Sequence, residues 1–402
     1  MNTLTEILRG EIRDQGPISF ARFMDVALYC PNLGYYERRR ETVGRGGDFF
    51  TSVSVGALFG ELLGFQFAAW FDEQLEADSS LVDGGSAVQR SRIIGGRGAA
   101  RSPFQIVEAG AHDGRLAQDI LTWFRQHRPD LLGMLEYWIL EPSGTRQQWQ
   151  AQTLREFDER VRWFLSWDLI PSRCIQGVIF ANEMLDAFPV HRLGWNANDR
   201  EWFEWGVASE GDQFVWVKLP GEKNSARSTE KSSHWPRLPD GLLAVLPDDF
   251  TTEISPAAEL WWSQAAAALD QGKLVTIDYG LRAEDFFTPQ RAGGTLRAFR
   301  RHHASGNLLD NVGEQDLTSQ VNFSALLQRG EAAGLQTKAL ISQSRFLTEI
   351  VAGIDRSPKS FDSWTPERNR QLQTLIHPEH LGRPFQVLIQ STIQSISMPT
   401  GQ

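Results

Sequence analysis

From Phe104 onwards, short apolar runs alternate with helical stretches, and polar residues stand where the runs end. Residues 104–108 read as a strand, 115–127 as a helix, and 136–141 as a second strand followed by a polar helix to about Glu159. Residues 161–166, 175–181 and 273–277 read as strands three, four and five. Strands alternating with helices imply a parallel sheet with helices on both faces, so the chain is read as an α/β protein. In such sheets ligands sit beyond the carboxyl ends of the strands, which directs attention to the strand tips.

The first strand ends in Glu108, Gly110, His112, Asp113 and Gly114. Gly110 permits a tight turn and close backbone approach to a ligand. Glu108 would hold the positively charged or donor end of that ligand. The glycine spacing is not G-x-G-x-x-G, which disfavours a pyrophosphate cradle for NAD or FAD. E-x-G-x-x-x-G is compatible with S-adenosyl-L-methionine (SAM), which has an amino acid moiety and a sulfonium but no phosphate. A plain strand–turn–helix with two glycines reads the same way.

The second strand ends in Glu141, an acceptor suited to both hydroxyls of a ribose, or else an exposed carboxylate ahead of Pro142. The third ends at Asp168, which could accept from an adenine amino group while Trp167 covers the ring. The fourth ends in Asn182, Glu183 and Asp186. The two carboxylates fall about one turn apart, on one face if the segment is helical. So paired, they could hold a guanidinium bidentately; alternatively Asp186 caps a helix N-terminus.

Outside this core, residues 3–14 and 18–28 read as helices, the second entered through Pro17 and Ser19. Residues 44–48 form a Gly-rich loop, and 55–75 a helix. Residues 78–103 are rich in Ser, Gly and Arg and read as a flexible insertion. Residues 191–252 hold short Trp- and Phe-rich runs with a polar loop at 221–233, read as an inserted β-rich subdomain. A helix at 256–269 is expected to stop at Gly272. The C-terminal part has a helix at 322–333 and strands at 336–341 and 385–390. The expected organisation is an N-terminal helical region with the Gly-rich loop (1–77), the insertion (78–103), the sheet core (104–190 and 253–402) and the β-rich subdomain (191–252).

Composition narrows the function classes. Lys and Arg number 40 against 50 Asp and Glu, a net charge of −10, which argues against a general nucleic-acid binder. Two cysteines, Cys30 and Cys174, exclude a disulfide scaffold, a Cys-rich zinc site and an iron–sulfur cluster, and no metal is expected. No apolar run approaches the ~20 residues of a membrane helix. The N-terminus reads as an amphipathic helix rather than a targeting signal, so a cytoplasmic location is expected. The 14 tryptophans, several clustered between Trp195 and Trp262, read as core, as pocket wall or as an interface, a homodimer included. His191 reads as packing beside Pro189. His302 and His303 read as an exposed basic turn, with a general base as the sharper alternative.

An ordered series of motifs extends over most of the chain. It comprises Ile18-Ser-Phe-Ala-Arg-Phe-Met24, Leu33-Gly-Tyr-Tyr36, Gly46-Gly-Asp-Phe-Phe-Thr-Ser52, Phe59-Gly-Glu61 and Glu108-Ala-Gly110. It continues with Asn182-Glu183, Asp186-Ala-Phe-Pro-Val190, Asp278-Tyr-Gly280, Gly294-Thr-Leu-Arg-Ala298 and Asp316-Leu-Thr318. The chain thereby resembles the MidA-like SAM-dependent methyltransferases, a family that includes the mitochondrial complex I assembly-factor arginine methyltransferase. The resemblance implies a class I methyltransferase fold with a Rossmann-like sheet. It implies SAM contacts from Gly46, Gly47, Asp48, Thr51, Ser52, Glu108, Gly110, His112, Gly114, Glu141 and Asp168. Asn182 and Glu183 would face the methyl group, with Asp186 second to Glu183 as clamp and Tyr35 or Tyr36 positioning. A protein acceptor follows, arginine favoured, with a respiratory complex I subunit as candidate.

The chain also departs from the family pattern. His112 stands for the middle glycine of G-x-G-x-G, Val53-Ser54 for Pro-Glu, and Gln320 and Asn322 for the His and Asp of His-Val-Asp-Phe. Three candidate charged or titratable groups are therefore missing. Two rival readings follow: a SAM-binding assembly factor with impaired catalysis, and a methyltransferase of small molecules.

Overall fold

The computed structural model describes residues 3–38, 51–84, 103–220, 235–300, 303–357, 361–382 and 384–393. The Gly-rich loop at 44–48 and the polar loop at 221–233 lie outside the described residues. The chain divides into two compact units. The first comprises residues 1–50, 184–261 and 279–326, and the second residues 51–183, 262–278 and 327–402.

The second unit is built on a sheet of β1 (Phe104–Ala109), β2 (Leu135–Leu140), β3 (Val161–Phe164), β4 (Ile175–Asn182), β5 (Leu269–Leu281), β6 (Leu335–Ser342) and β7 (Phe385–Thr392). Its order is β6-β7-β5-β4-β1-β2-β3. Strands β1 to β5 pair in parallel, and β6 pairs antiparallel to β7. Chain order runs outward from β1 to β3, then resumes at β4 on the other side of β1. The topological switch point therefore lies between the tips of β1 and β4, where open α/β sheets place their ligands. The sheet centre is largely apolar: Ile106, Val107, Ile139, Ile179, Leu274 and Val275 are all buried. Phe67 and Phe71 of the helix Leu58–Gly84 pack on Phe180 and Phe104, with ring centroids 5.2 and 4.7 Å apart.

That helix departs from the expectation at both ends. It starts at Leu58 rather than Val55, because Val53–Val55 forms a 3-10 turn, and it runs on to Gly84. The first residues expected to belong to a flexible insertion are thus helical, and 85–102 lie outside the described residues. The polar helix after β2 ends at Thr153 and is followed by a 3-10 turn, Arg155–Arg160. Gly272 is not a helix stop. It lies within β5 opposite Gly177, and a side chain there would strike the Gly177 carbonyl.

In the first unit, an antiparallel sheet joins Ile18–Ser19, Glu201–Glu210, His191–Asn196 and Thr251–Ile254 in that order, with Gln213–Lys218 on Glu201–Glu210. Ile18 and Ser19 are therefore strand, not the start of the expected helix. They pair with Val207 and Gly206, and the Ser19 side chain accepts the Arg22 N–H to start the helix Phe20–Tyr29. A second sheet holds His303–Ser305, Arg297–Arg300 and Asp316–Thr318. Tyr279–Leu281, the last residues of β5, extend to a two-residue strand Val321–Asn322. Leu4, Leu8, Phe20, Phe23, Met24, Val207 and Leu317 share one core. Trp195 sits in another with Leu246 and Phe250. Trp195 and, in the second unit, Trp262 are fully buried, so for these two the core reading holds.

Candidate functional site

The switch point of the second unit gathers most of the singled-out residues. Register pairs Glu108 with Phe180 and Ala109 with Ala181, so the turn after β1 opens beside Asn182 and Glu183. Gly110 has φ +76° and Gly114 φ +85°, a left-handed conformation that favours glycine. At Gly114 a side chain would also crowd the Gln150 backbone at 3.2 Å. His112, where the family pattern has glycine, adopts φ +45°. The left-handed conformation is thus kept there by a residue that adopts it with strain.

Glu108 is buried, and its Oε2 accepts the Tyr137 hydroxyl at 2.7 Å. Burial pushes its pKa up to about 8, against the pull of Tyr137, and the charge of Asp113 adds to the rise. The side chain expected to act as a carboxylate is therefore mostly protonated at neutral pH. Asp113 lies below the ordinary carboxylate range: burial opposes ionisation, but His112 and Arg115 outweigh it.

Glu141, at the tip of β2, is buried and already engaged. Its Oε1 accepts the Ser143 N–H at 2.9 Å and faces Arg146 at 3.3 Å, and its Oε2 accepts Gln150 Nε2 at 3.1 Å. Gln150 also donates to the His112 carbonyl at 3.1 Å and accepts Trp163 Nε1–H at 3.0 Å. This buried amide thus ties the turn after β1 to the ends of β2 and β3. The sequence reading missed it, since the helix Gly144–Thr153 holds several glutamines and its pattern singles out none. Asp168 stands on an exposed 3-10 turn after β3, beside buried Trp167.

At the tip of β4, the Glu183 N–H continues the ladder to Ile277, yet its φ is +50°. A left-handed glutamate is strained by roughly 1–2 kcal/mol, a departure that clusters at functional sites. Glu183 Oε1 accepts the Ser52 N–H at 3.0 Å and Asn182 Nδ2–H at 3.2 Å. A carboxylate only accepts, so the Asn182 amide must present its nitrogen to Glu183 and its oxygen elsewhere. Among the described residues, that Oδ1 is buried without a partner. An orphaned buried carbonyl of this kind costs about 1–3 kcal/mol until a donor reaches it.

Ser52 is fully buried, and its Oγ donates to Gln343 Oε1 at 3.2 Å. Thr51 and Ser54 close a local turn on each other, with Ser54 Oγ donating to the Thr51 carbonyl at 2.8 Å. Ser54, standing where the family has Glu, therefore serves the backbone. Gly46, Gly47 and Asp48 lie outside the described residues.

Asp186 belongs to the first unit, and the expected shared helical face with Glu183 does not form. Glu183 is left-handed, Met184 has φ −128°, and only Leu185–Ala187 make a 3-10 turn. Burial raises the Asp186 pKa to about 7. In the same unit the Tyr36 hydroxyl donates to Asp316 at 2.8 Å, and Tyr35 meets the Tyr36 ring edge-on. Burial first, then the Asp316 charge, lift Tyr36 well above the ordinary tyrosine range. His191 does more than pack: its Nδ1 lies 2.6 Å from Glu204 Oε1. Gln320 N–H donates to Thr295 Oγ1, and Asn322 Oδ1 accepts the Ala325 N–H at the start of the helix Phe323–Ala332. His303 is exposed on a strand, and His302 lies outside the described residues.

The groups at the switch point fit SAM. Two left-handed glycines let backbone approach a ligand after β1, and Asn182 at the tip of the neighbouring β4 presents a buried acceptor with no partner among the described residues.

Comparison with known proteins agrees. Two Burkholderia thailandensis crystal structures are similar at 30% identity. One, with S-adenosyl-homocysteine bound, gives a TM-score of 0.75 and covers 97% of this chain and 92% of that one. The other, a native crystal structure, gives 0.72 over 97% and 91%. The Drosophila melanogaster protein named "Protein arginine methyltransferase NDUFAF7 homolog, mitochondrial" is 28% identical over 96% of this chain and 84% of its own. Its Danio rerio counterpart is 29% identical over 94% and 84%. These relatives are named as mitochondrial proteins, which overturns the expectation of a cytoplasmic location. A family model described as "Putative S-adenosyl-L-methionine-dependent methyltransferase" matches residues 87–341. The fold is that of class I methyltransferases, and the chain belongs to this SAM-dependent methyltransferase family.

Proposed function

We propose that the protein transfers a methyl group from SAM to a protein side chain, with arginine the favoured acceptor and a respiratory complex I subunit its candidate source. The observation that carries this reading is the juxtaposition at the switch point of Gly110 with Asn182 and Glu183, where a strained glutamate adjoins an amide oxygen that has no partner among the described residues. The names of the relatives support the arginine acceptor. A homodimer joined through the tryptophan-rich strands belongs to the same proposal.

Bound SAM supplies an electrophilic methyl carbon on a sulfonium. The backbone at Gly110, Glu108, Glu141 and Asn182 would hold it. Glu183 would orient the N–H groups of the nucleophile and stabilise the positive charge that develops on it. Asn182 Oδ1 offers a second acceptor on the same side. Asp168, exposed after the edge strand, is kept as an adenine contact, and Thr51 as part of the loop that borders the site.

The test uses the purified full chain, tritiated SAM and extracted cell protein, followed by acid hydrolysis and separation of methylated amino acids. The reading expects tritium in methylarginine. Label in a small molecule instead would favour the small-molecule reading. SAM binding with no transfer would favour an assembly factor with impaired catalysis, the reading that the substituted motif positions Val53, Ser54, Gln320 and Asn322 suggest.

A further inference from the structure

We infer that Gln343 is a positioning residue for Glu183, acting through Ser52 as a fixed brace behind the site. This rests on the reading of Glu183 as the acceptor clamp.

Gln343 opens the helix Gln343–Arg356 and is fully buried. Its Nε2 donates to the Leu375 carbonyl at 3.1 Å and to that of Leu381 at 3.4 Å. With both protons directed at backbone oxygens, the amide cannot flip, and its Oε1 is left as the acceptor for Ser52 Oγ–H. Ser52, also fully buried, then turns its backbone N–H to Glu183 Oε1.

The chain of bonds thus runs from the Leu375–Leu381 backbone through two buried side chains to one carboxylate oxygen. Every donor has an acceptor along it. Buried and satisfied networks of this kind fix one geometry. The resemblance assigns Ser52 to the cofactor. Here its hydroxyl and its N–H are both spent on protein groups. The bond to Glu183 explains how a glutamate is kept left-handed at the tip of β4. The brace comes from residues 291 and 131 positions away from Ser52, so no local pattern announces it.

The test compares full-length wild type, Gln343→Met and Ser52→Ala, alone and combined with Glu183→Gln. First, crystal structures with S-adenosyl-homocysteine are compared for the Ser52 N to Glu183 Oε1 contact. The contact should be present in wild type and lost or lengthened in Gln343→Met. If Gln343→Met does not fold, Ser52→Ala, which removes only the hydroxyl donor, takes its place. A contact absent from wild type, or unchanged in both variants, overturns the inference.

Second, calorimetry with S-adenosyl-homocysteine should give Gln343→Met a Kd within about threefold of wild type. Turnover on the acceptor found by tritium transfer should fall about tenfold or more, with KM unchanged. In the Glu183→Gln background, Gln343→Met should change turnover less than about twofold, because the group it positions has gone. An equal loss in both backgrounds would mean a structural role only and overturns the inference. If Glu183→Gln alone keeps wild-type turnover, the clamp reading fails, and the crystallographic contact still decides the brace.

Discussion

The Tyr137 hydroxyl donates to Glu108 Oε2 at 2.7 Å from the neighbouring strand, and it is the hydrogen bond that opposes the rise of the Glu108 pKa. Glu108 nevertheless reaches about 8, so the folded chain holds a proton that the unfolded chain releases above its ordinary value of 4.5. Between these values the folded state binds more protons, and stability from this group falls as pH rises from about 4.5 to about 8. Glu108→Gln should flatten that dependence in urea unfolding at pH 5, 6.5 and 8. Tyr137→Phe leaves a buried carboxyl short of a donor and should destabilise by about 1–3 kcal/mol. A Glu108→Gln protein with the wild-type pH dependence would contradict the assignment.

Asp119 should behave in the same sense. Burial first, then the charge of Glu61, raise its pKa from 3.8 to about 7, with Arg115 opposing. Stability therefore falls between those limits and is level above them. Asp119→Asn should stabilise the protein at pH 8 by about 4 kcal/mol and have little effect at pH 4. Denaturant midpoints at the two pH values give the difference, and equal effects at both would exclude a proton held by Asp119.

Gln150→Leu removes three hydrogen bonds at once, those to His112, Glu141 and Trp163. The expected loss is about 3 kcal/mol of stability. The turn after β1 also loses its tie to the tip of β2. Affinity for S-adenosyl-homocysteine, measured by calorimetry, should fall about tenfold or more at a temperature where the variant is folded. Unchanged affinity would mean that the tie supports the fold alone.

The strands and their tips were legible because period, length and flanking polar residues agree there. Ser19 announced a helix start by side-chain chemistry that works over three residues. What was not legible depends on partners distant in sequence. Ile18–Ser19 is strand because Gly206 and Val207 lie beside it, and Gly272 is strand because it pairs with Gly177, whose carbonyl approaches too closely for a side chain at 272. The spacing of Glu183 and Asp186 suggested one helical face, but the left-handed turn at Glu183 breaks it. Gln150 and Gln343 are ordinary surface residues by type, and only the polar partners they meet from distant parts of the chain make them interior. The family motifs identified the ligand class because they record such long-range constraints together. The cytoplasmic expectation failed because it rested on composition and the N-terminal pattern, neither of which the relatives' mitochondrial names sustain.

The most direct test of the account is Glu183→Gln, assayed in parallel for S-adenosyl-homocysteine binding by calorimetry and for tritium transfer from SAM into protein methylarginine. The substitution keeps the shape and an acceptor for Ser52 but removes the negative charge. The account predicts binding within about threefold of wild type and transfer reduced about a hundredfold or more. Transfer at the wild-type rate would contradict it.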